Sequence, residues 1–289
     1  MNSLWQDIRV KLTQSGSRIN VLIGINVLVF LLINIPHVFL HMMGNDMVGY
    51  YANEYLALPA SLSKLATRFW TPISYMFMHD GIFHILFNML WLYWMGQIFE
   101  EYLGNKRIVS LYVMGGLVGA LFFVLFYNVF PAFAGSLPTA VVVGASASVT
   151  AIVIATATLL PDYTIYMMFI GPVKLKWLAL FFVVVDYLGI AGSNPGGMIA
   201  HLGGALMGFI YIKQLNRGND LSRSVDQIFT QRPKVKVASS NKTTYQQQTS
   251  LIPHQEEIDR ILDKISASGY ESLNKHEKDV LSRASKNEG

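Results

Sequence analysis

The chain has 289 residues, of which 52% are hydrophobic and 14% are charged, and its mean hydropathy is +0.38. This composition excludes an ordinary soluble domain and indicates a polytopic membrane protein. The net charge of +4 is explained by cationic loops facing lipid headgroups, so it does not indicate nucleic-acid binding. No cysteine is present, which excludes disulfides and thiolate chemistry.

The composition changes along the chain and divides it into four segments. Residues 1–18 are predicted to form a cytoplasmic amphipathic segment on the membrane surface, with a frayed terminus as the equal alternative. Residues 19–216 are predicted to form the membrane domain, and residues 217–252 a flexible polar linker. Residues 253–289 are predicted to form a cytoplasmic helical hairpin that docks on an unidentified partner, because its own core is small.

Six apolar runs in the membrane domain have about the ~20 residues that a bilayer requires. They lie at 20–39, 80–99, 108–130, 142–160, 172–191 and 197–215. The predicted fold class is therefore all-α, a bundle of six transmembrane helices. Basic residues cluster before the first run and after every second run, which puts both termini in the cytoplasm. No cleavable signal peptide is evident, and this fits a bacterial cytoplasmic membrane.

Two features predict the helical hairpin in the tail. A capping box, Asn274-x-x-Glu277, marks the start of its second helix. The apolar residues of its first helix recur at helical spacing. They are Ile258, Ile261, Leu262 and Ile265.

Ionisable or strongly polar side chains inside membrane helices are costly and usually functional. Here they are His79, Asp80, His84, Asn88, Ser146, Ser148, Asp186 and His201. Because the second, fourth and sixth helices run in the same direction, four of these residues fall at one depth near the outer surface. The four are His84, Asn88, Ser146 and His201.

Small residues surround the serine and the histidine of this group. Those of the sixth helix are Ala200, Gly204 and Gly208, and those of the fourth helix are Ala147, Ala151 and Ala155. Ladders of this kind allow two membrane helices to approach closely. If the two ladders meet, the Ser146 hydroxyl and the His201 ring come within reach of each other.

Such a pair has a defined chemistry. A serine hydroxyl needs an adjacent base to become a nucleophile, and His201 would take its proton and later protonate the leaving amine. The oxyanion that forms needs fixed donors. The Asn88 amide, the His84 ring and the backbone N–H of Ser146 at a helix N-terminus are placed to supply them.

The motifs His84-x-x-x-Asn88, Gly144-x-Ser146 and AHLGGALMG at 200–208 together resemble the rhomboid family of intramembrane serine proteases. The resemblance covers about residues 18–216 and includes the order of six spans. It implies a rhomboid-type bundle that hydrolyses peptide bonds in or beside the transmembrane helices of its substrates, without a cofactor or a metal.

The resemblance also implies roles for individual residues. Ser146 and His201 would form a catalytic dyad, and Asn88 and His84 would support the oxyanion. Gly144 would support the serine. The substrates would be transmembrane proteins that enter from the lipid bilayer past the fifth helix.

Two positions depart from the usual pattern of the family. The residue after the serine is Ala147 where glycine is usual, and Thr150 stands where an aromatic residue often stacks on the histidine. The second change either weakens the hold on His201 or lets Thr150 hydrogen-bond instead. Neither change removes a reacting group, so the sequence favours an active enzyme.

Asp186 in the fifth helix has three possible roles in the sequence. It belongs to a gate, it orients His201 as a third member, or it extends to the outer surface. The last role is favoured, because the helix ends a few residues later. His79 and Asp80 are expected to face the outer interface.

Other classes of protein fit less well. A zinc protease would need His-Glu-x-x-His, which does not occur, and an aspartyl protease would need a second deep carboxylate beside Asp186. A channel would need polar residues through to the cytoplasmic half. The alternative that stays open is a catalytically weak or inactive rhomboid-like protein that binds transmembrane helices for sorting or degradation, in which Ser146 only packs between helices.

Overall fold

The computed structural model describes residues 17–168, 170–222 and 255–286. The described residues up to 222 belong to one compact unit, and residues 255–286 belong to a second. Residues 1–16 of the predicted amphipathic segment and most of the predicted linker lie outside the described residues.

The first unit is built from helices, with short strands only in its connections. Its helices are α1 (Arg18–Met42), α2 (Met47–Leu56), α3 (Leu62–Thr67), α4 (Thr71–Ser74), α5 (Ile82–Leu103), α6 (Lys106–Val129), α7 (Ser146–Leu159), α8 (Leu175–Gly189) and α9 (Pro195–Asn216). Its strands are β1 (Leu58–Pro59), β2 (Val141–Val142), β3 (Thr164–Met167) and β4 (Gly171–Lys174), paired antiparallel as β1–β2 and β3–β4. Single 3₁₀ turns lie at Tyr75–Phe77 and Pro131–Phe133.

The all-α membrane bundle predicted from the sequence is confirmed. Within the described residues, four helices, α1, α5, α6 and α9, are long and apolar enough to cross a membrane. The helices in the fourth and fifth predicted runs are shorter. Helix α7 has 14 residues and helix α8 has 15. At 1.5 Å per residue these helices span about 21 Å, less than the ~30 Å of a bilayer core.

The two predicted runs are shortened by extended backbone. The start of the fourth run pairs with the first long connection, where Leu58 lies opposite Val142. The start of the fifth run forms strand β4, in which Lys174 lies opposite Thr164. Periodicity did not identify β2 because its two valines are as apolar as the helix that follows, whereas the Gly171-Pro172 pair at the start of β4 is a helix-breaking signal that could have located the second strand.

The hairpin of β3 and β4 connects α7 to α8 and carries charges at its base. Both Lys174 and Lys176 donate to the carboxylate of Asp162, at 3.0 and 2.8 Å. The hydrogen bond from Lys176, followed by that from Lys174, lowers the pKa of Asp162 below its ordinary value. Both ion pairs are exposed at the surface, where such pairs contribute little to stability.

One end of the bundle is held by charged residues. The Glu100 carboxylate at the end of α5 accepts from the backbone N–H groups of Arg18 and Ile19, at 3.0 and 3.1 Å, and so caps the start of α1. Arg107 at the start of α6 pairs with Asp220, which follows α9. The starts of α1 and α6 and the end of α9 therefore share one end of the bundle.

The centre of the bundle is a close contact between α7 and α9. A Cβ atom added to Gly204 would collide with the carbonyl oxygen of Ala147, and one added to Gly208 would collide with that of Ala151. The two ladders of small residues therefore meet, which confirms the prediction. Without side chains between them, the two backbones touch.

Helix α6 contributes a third face of small residues, which the sequence analysis did not identify. A Cβ atom on Gly119 would lie 2.6 Å from the Cβ of Ala147 and 2.8 Å from the carbonyl oxygen of Ala200. A Cβ atom on Gly115 would collide with the Cβ of Ala151. Helix α7 is consequently enclosed between α6 and α9, and its residues from 147 to 157 are buried.

The second unit is a helical hairpin of α10 (Gln255–Ser268) and α11 (Lys275–Lys286), joined by a 3₁₀ turn at Tyr270–Ser272. Its buried residues are Ile261, Leu273 and Val280. The predicted capping box is confirmed, since the Asn274 side chain accepts from the Glu277 N–H and the Glu277 carboxylate accepts from the Asn274 N–H, both at 2.8 Å.

The contact between α7 and α9 predicts the effect of a single methyl group. We expect Gly204→Ala to lower the free energy of unfolding by about 2 kcal/mol or more, because the backbones must separate to admit the methyl group. Thermal unfolding in detergent measures the change. Gly135→Ala is the matched control, since a Cβ atom there meets nothing within 4 Å. Equal stability of the two variants would contradict the close contact.

Candidate functional site

Two adjoining pockets meet at Ser146 and His201, and both side chains line both pockets. The first has a volume of about 360 Å³ and is lined by polar residues, among them His84 and Asn194. The second has a volume of about 200 Å³ and is lined mainly by apolar residues of α5, α7 and α8. A chain that passes over the serine therefore has a polar side and an apolar side to occupy.

Ser146 is the first residue of α7, so its backbone N–H has no acceptor within the helix. It lies at the boundary of the two pockets, and its hydroxyl faces the space that they share. Within the described residues no hydrogen bond joins the Ser146 hydroxyl to His201. The two groups are neighbours across a pocket that a reacting carbonyl group can enter.

Residues 141–145, the strap that precedes Ser146, adopt a path that depends on Gly144. Its φ of +125° is one that other residues rarely adopt. A Cβ atom there would also lie 2.7 Å from Nε2 of His84. The Gly144 N–H donates to the carbonyl oxygen of Tyr75 at 2.9 Å. Glycine at this position therefore lets the strap pass directly over the histidine.

His79 lies beneath the same strap, and the expectation that it faces the outer interface is wrong. Its ring is only 5% exposed, and Nε2 accepts from the backbone N–H of Ala145 at 3.4 Å. The ring of His84 lies edge-on to it, with centroids 5.1 Å apart. His79 therefore packs against the strap of residues 141–145 and not toward the outer interface. Asp80 is exposed, as expected.

His201 is held by Asp186, whose expected place at the outer surface is also wrong. The carboxylate of Asp186 is buried, with 5% of the residue exposed, and its Oδ1 lies 2.8 Å from Nδ1 of His201. It faces α9 because residue 186 lies on the inner side of α8. An ionised Asp186 would accept from a proton on Nδ1, and Nε2 of a neutral ring would then carry no proton.

Asn88 and His84 lie on opposite sides of the serine. The Asn88 amide donates to the carbonyl oxygen of His84 at 2.8 Å and lines the second pocket. Because the amide has two N–H bonds, one remains for a ligand. The His84 ring lines the first pocket.

Thr150 and Ser148 follow Ser146 along α7 and face different ways. Thr150 is 4% exposed and lines the second pocket together with Asp186 and His201. Ser148 is fully buried and packs toward Gly116, where an added Cβ atom would lie 2.7 Å from its hydroxyl oxygen. Ser148 is therefore a packing residue.

Two asparagines in the first pocket were missed by the sequence analysis. Asn53 comes from α2, and Asn194 accepts from the Gly197 N–H at 3.0 Å and so caps α9. Asn194 followed by Pro195 is a pattern typical of a helix start, and it could have located this cap. The sequence holds no comparable signal for Asn53, which reaches the pocket only through the fold of the long first connection.

Comparison with known proteins gives two family matches. Residues 66–217 match the family described as Rhomboid domain, and this region contains Ser146, Asp186 and His201. Residues 251–287, which include the hairpin of α10 and α11, match a family of unknown function (DUF6576).

Individual relatives match over shorter stretches. RHOMBOID-like protein 12, mitochondrial, of Arabidopsis thaliana is 32% identical over 161 residues, which are 52% of this chain and 48% of that protein. Inactive RHOMBOID-like protein 8 of the same plant is 34% identical over 62 residues, 22% of this chain and 18% of that protein. Rhomboid protease GlpG of Klebsiella pneumoniae is 37% identical over 49 residues, 17% of this chain and 18% of that protein. The matched stretches thus span less than half the length of each relative.

Proposed function

The chain belongs to the rhomboid family, and on that premise we propose that it is an intramembrane serine endopeptidase. It cleaves peptide bonds in or next to the transmembrane helices of membrane-anchored proteins. The observation that carries the proposal is the hydrogen bond between Asp186 and His201 beside Ser146. A base in the correct tautomer, facing a serine across a pocket, is the arrangement that acyl transfer requires.

The proposed reaction begins with attack of the Ser146 hydroxyl oxygen on the scissile carbonyl carbon. Nε2 of His201 takes the hydroxyl proton and then gives it to the leaving amine, so the C–N bond breaks and an acyl ester remains on the serine. A water molecule, activated by the same nitrogen, then hydrolyses the ester and restores the hydroxyl.

Asp186 orients the base in this proposal. Burying a carboxylate in an apolar wall is unfavourable unless a partner compensates for it. His201 is the partner of Oδ1, while Oδ2 is buried without a hydrogen bond within the described residues. The charge of Asp186 holds Nδ1 protonated and stabilises the imidazolium that forms during attack. The hydrogen bond to Asp186 would fix the orientation of the His201 ring, as stacking by an aromatic residue at position 150 would otherwise do.

The proposed oxyanion site uses the donors around the strap. They are the second N–H of Asn88, which lines the second pocket, the His84 ring, which lines the first, and the backbone N–H of Ser146, which lies where the two pockets meet. In enzymes of this chemistry one such donor contributes about 3–4 kcal/mol to the barrier.

Entry of the substrate from the lipid is supported by the outer wall of the second pocket. Trp91 of α5 and Phe182 of α8 meet edge to face, with centroids 5.0 Å apart, and close the gap between the two helices. Phe181 beside them is 63% exposed, a fraction suited to contact with acyl chains. Separation of these two rings would open the pocket to a transmembrane helix.

The protein is an integral membrane protein by its family and its apolar helices. We propose in addition that both termini lie in the cytoplasm, with the segments divided at residues 18, 216 and 252. A bacterial cytoplasmic membrane stays a prediction, and one relative carries a mitochondrial name in a plant.

The second candidate function is that of a rhomboid-like protein that holds transmembrane helices without cleaving them. Similarity to Inactive RHOMBOID-like protein 8 over 62 residues supports it. The two candidates differ in whether Ser146 reacts, and this can be measured directly.

A fluorophosphonate probe added to membranes should label the wild-type chain at Ser146, because only an activated serine reacts with it. Ser146→Ala and His201→Ala should each abolish labelling and cleavage of a transmembrane reporter. Ser148→Ala is the matched control and should behave as the wild type, since that hydroxyl is buried away from both pockets. Unchanged cleavage by Ser146→Ala would exclude the proposed function.

Asp186→Asn should lower kcat by about a hundredfold or more while KM stays near its wild-type value. The amide keeps the shape of the carboxylate but admits the tautomer in which Nε2 carries the proton. Steady-state cleavage of the reporter measures both constants, and thermal unfolding verifies the fold. Asp162→Asn removes a carboxylate from the β3–β4 hairpin as a control. A kcat equal to that of the wild type would remove Asp186 from the mechanism.

Asn88→Ala should lower kcat by about a hundredfold, because one oxyanion donor is lost. Asn34→Ala is the control, since its amide also donates to the carbonyl oxygen four residues earlier, that of Phe30, but does not line the pockets that Ser146 lines. If both variants cleave at the wild-type rate, Asn88 does not stabilise the oxyanion.

A further inference from the structure

The first pocket carries a carboxylate that the proposed reaction does not use. Asp80 lines this pocket together with Ser146 and His201. It precedes α5, is exposed, and stands between this pocket and a neighbouring one that it also lines.

Asp80 has no cationic partner within the described residues. The neighbouring carboxylates on this face are engaged, since Glu54 pairs with Arg68 and Asp46 pairs with His41. The polar side chains that line the pocket beside Asp80 are amides and imidazoles, those of Asn53, His84, Asn194 and His201. These groups provide dipoles but no fixed positive charge.

The second pocket has the opposite character. Its walls include Phe87, Trp91 and Phe182, and it shares Ser146 and His201 with the first pocket. A substrate bound with its scissile carbonyl at the serine would place its apolar membrane segment on this side. The polar segment that flanks the membrane helix would then enter the first pocket, beside Asp80.

We propose that Asp80 determines specificity by selecting substrates that carry a lysine or an arginine close to the scissile bond. The inference rests on the proposed function and names the substrate class of the same site. An ammonium or guanidinium group would form a charge-assisted hydrogen bond with the carboxylate, and an acidic residue there would be repelled.

This preference would be selective in a membrane. In the proposed orientation the first pocket faces away from the cytoplasm, where the positive-inside rule leaves few Lys or Arg residues beside transmembrane helices. A requirement for a basic residue on that side would therefore exclude most membrane proteins. An acidic residue would be repelled by Asp80, and a neutral one would leave the carboxylate unpaired.

The test uses the full chain in liposomes and three transmembrane reporters that differ by one residue. Lys, Gln or Glu is placed in turn at each of the residues that flank the scissile bond on either side. At one of these positions the wild type should cleave the Lys reporter about five- to tenfold faster than the Gln reporter, and the Glu reporter more slowly still.

The Asp80 variants should change this order. Asp80→Asn should make the Lys and Gln reporters equal, and Asp80→Lys should favour the Glu reporter. Asp162→Asn, which removes a carboxylate elsewhere, should keep the order of the wild type. If Asp80→Asn fails to fold, Asp80→Ser replaces it, and an unchanged preference for the Lys reporter in either variant overturns the inference.

Two further outcomes overturn the inference while the proposed function stands. One is equal cleavage of the three reporters by the wild type at every position. The other is an equal loss for all three in Asp80→Asn, which would mean that Asp80 only positions His84. If no reporter is cleaved in a manner that depends on Ser146, the proposed function fails and the inference fails with it.

Discussion

The close contact between α7 and α9 is the constraint on which the site depends. A serine and a histidine on separate membrane helices can act together only if the two backbones approach until they touch. Side chains larger than hydrogen or methyl along the contact would separate them, as the collisions predicted at Gly204 and Gly208 indicate. Water does not drive this association in a bilayer, so van der Waals packing of small residues must hold the helices together.

The electrostatics of the site follow from the same contact. The His201 ring of α9 is hydrogen-bonded to Asp186 of α8 and lines the same pocket as Ser146 of α7, so residues of three helices meet there. Asp186 comes from α8, whose aromatic residues also form the outer wall of the apolar pocket. Movement of α8 that admits a substrate would therefore also act on the residue that orients the base. If the proposed function holds, binding and activation would be coupled through this one buried carboxylate.

Much of this was readable from the sequence, because small residues and polar residues inside apolar runs are strong signals. The ladders on the fourth and sixth helices and the capping box at Asn274 were predicted correctly. The favoured position of Asp186 at the outer surface was wrong, because closeness to a helix end does not specify the direction of a side chain around the helix. The strand at 141–142 was missed because two valines do not distinguish a strand from a helix, and the strand at 171–174 was missed although Gly171 and Pro172 disfavour a helix there. Asn53 depends on a long connection whose path no local pattern specifies.

The central claim is that Ser146 is a nucleophile served by His201 and by donors on α5. An experimental structure of the chain after reaction with a fluorophosphonate tests this most directly. The account predicts phosphorus bonded to the hydroxyl oxygen of Ser146, with one phosphoryl oxygen within hydrogen-bond distance of the Asn88 amide and Nε2 of His201 beside the adduct. A chain that does not react, or an adduct on another residue, would contradict it.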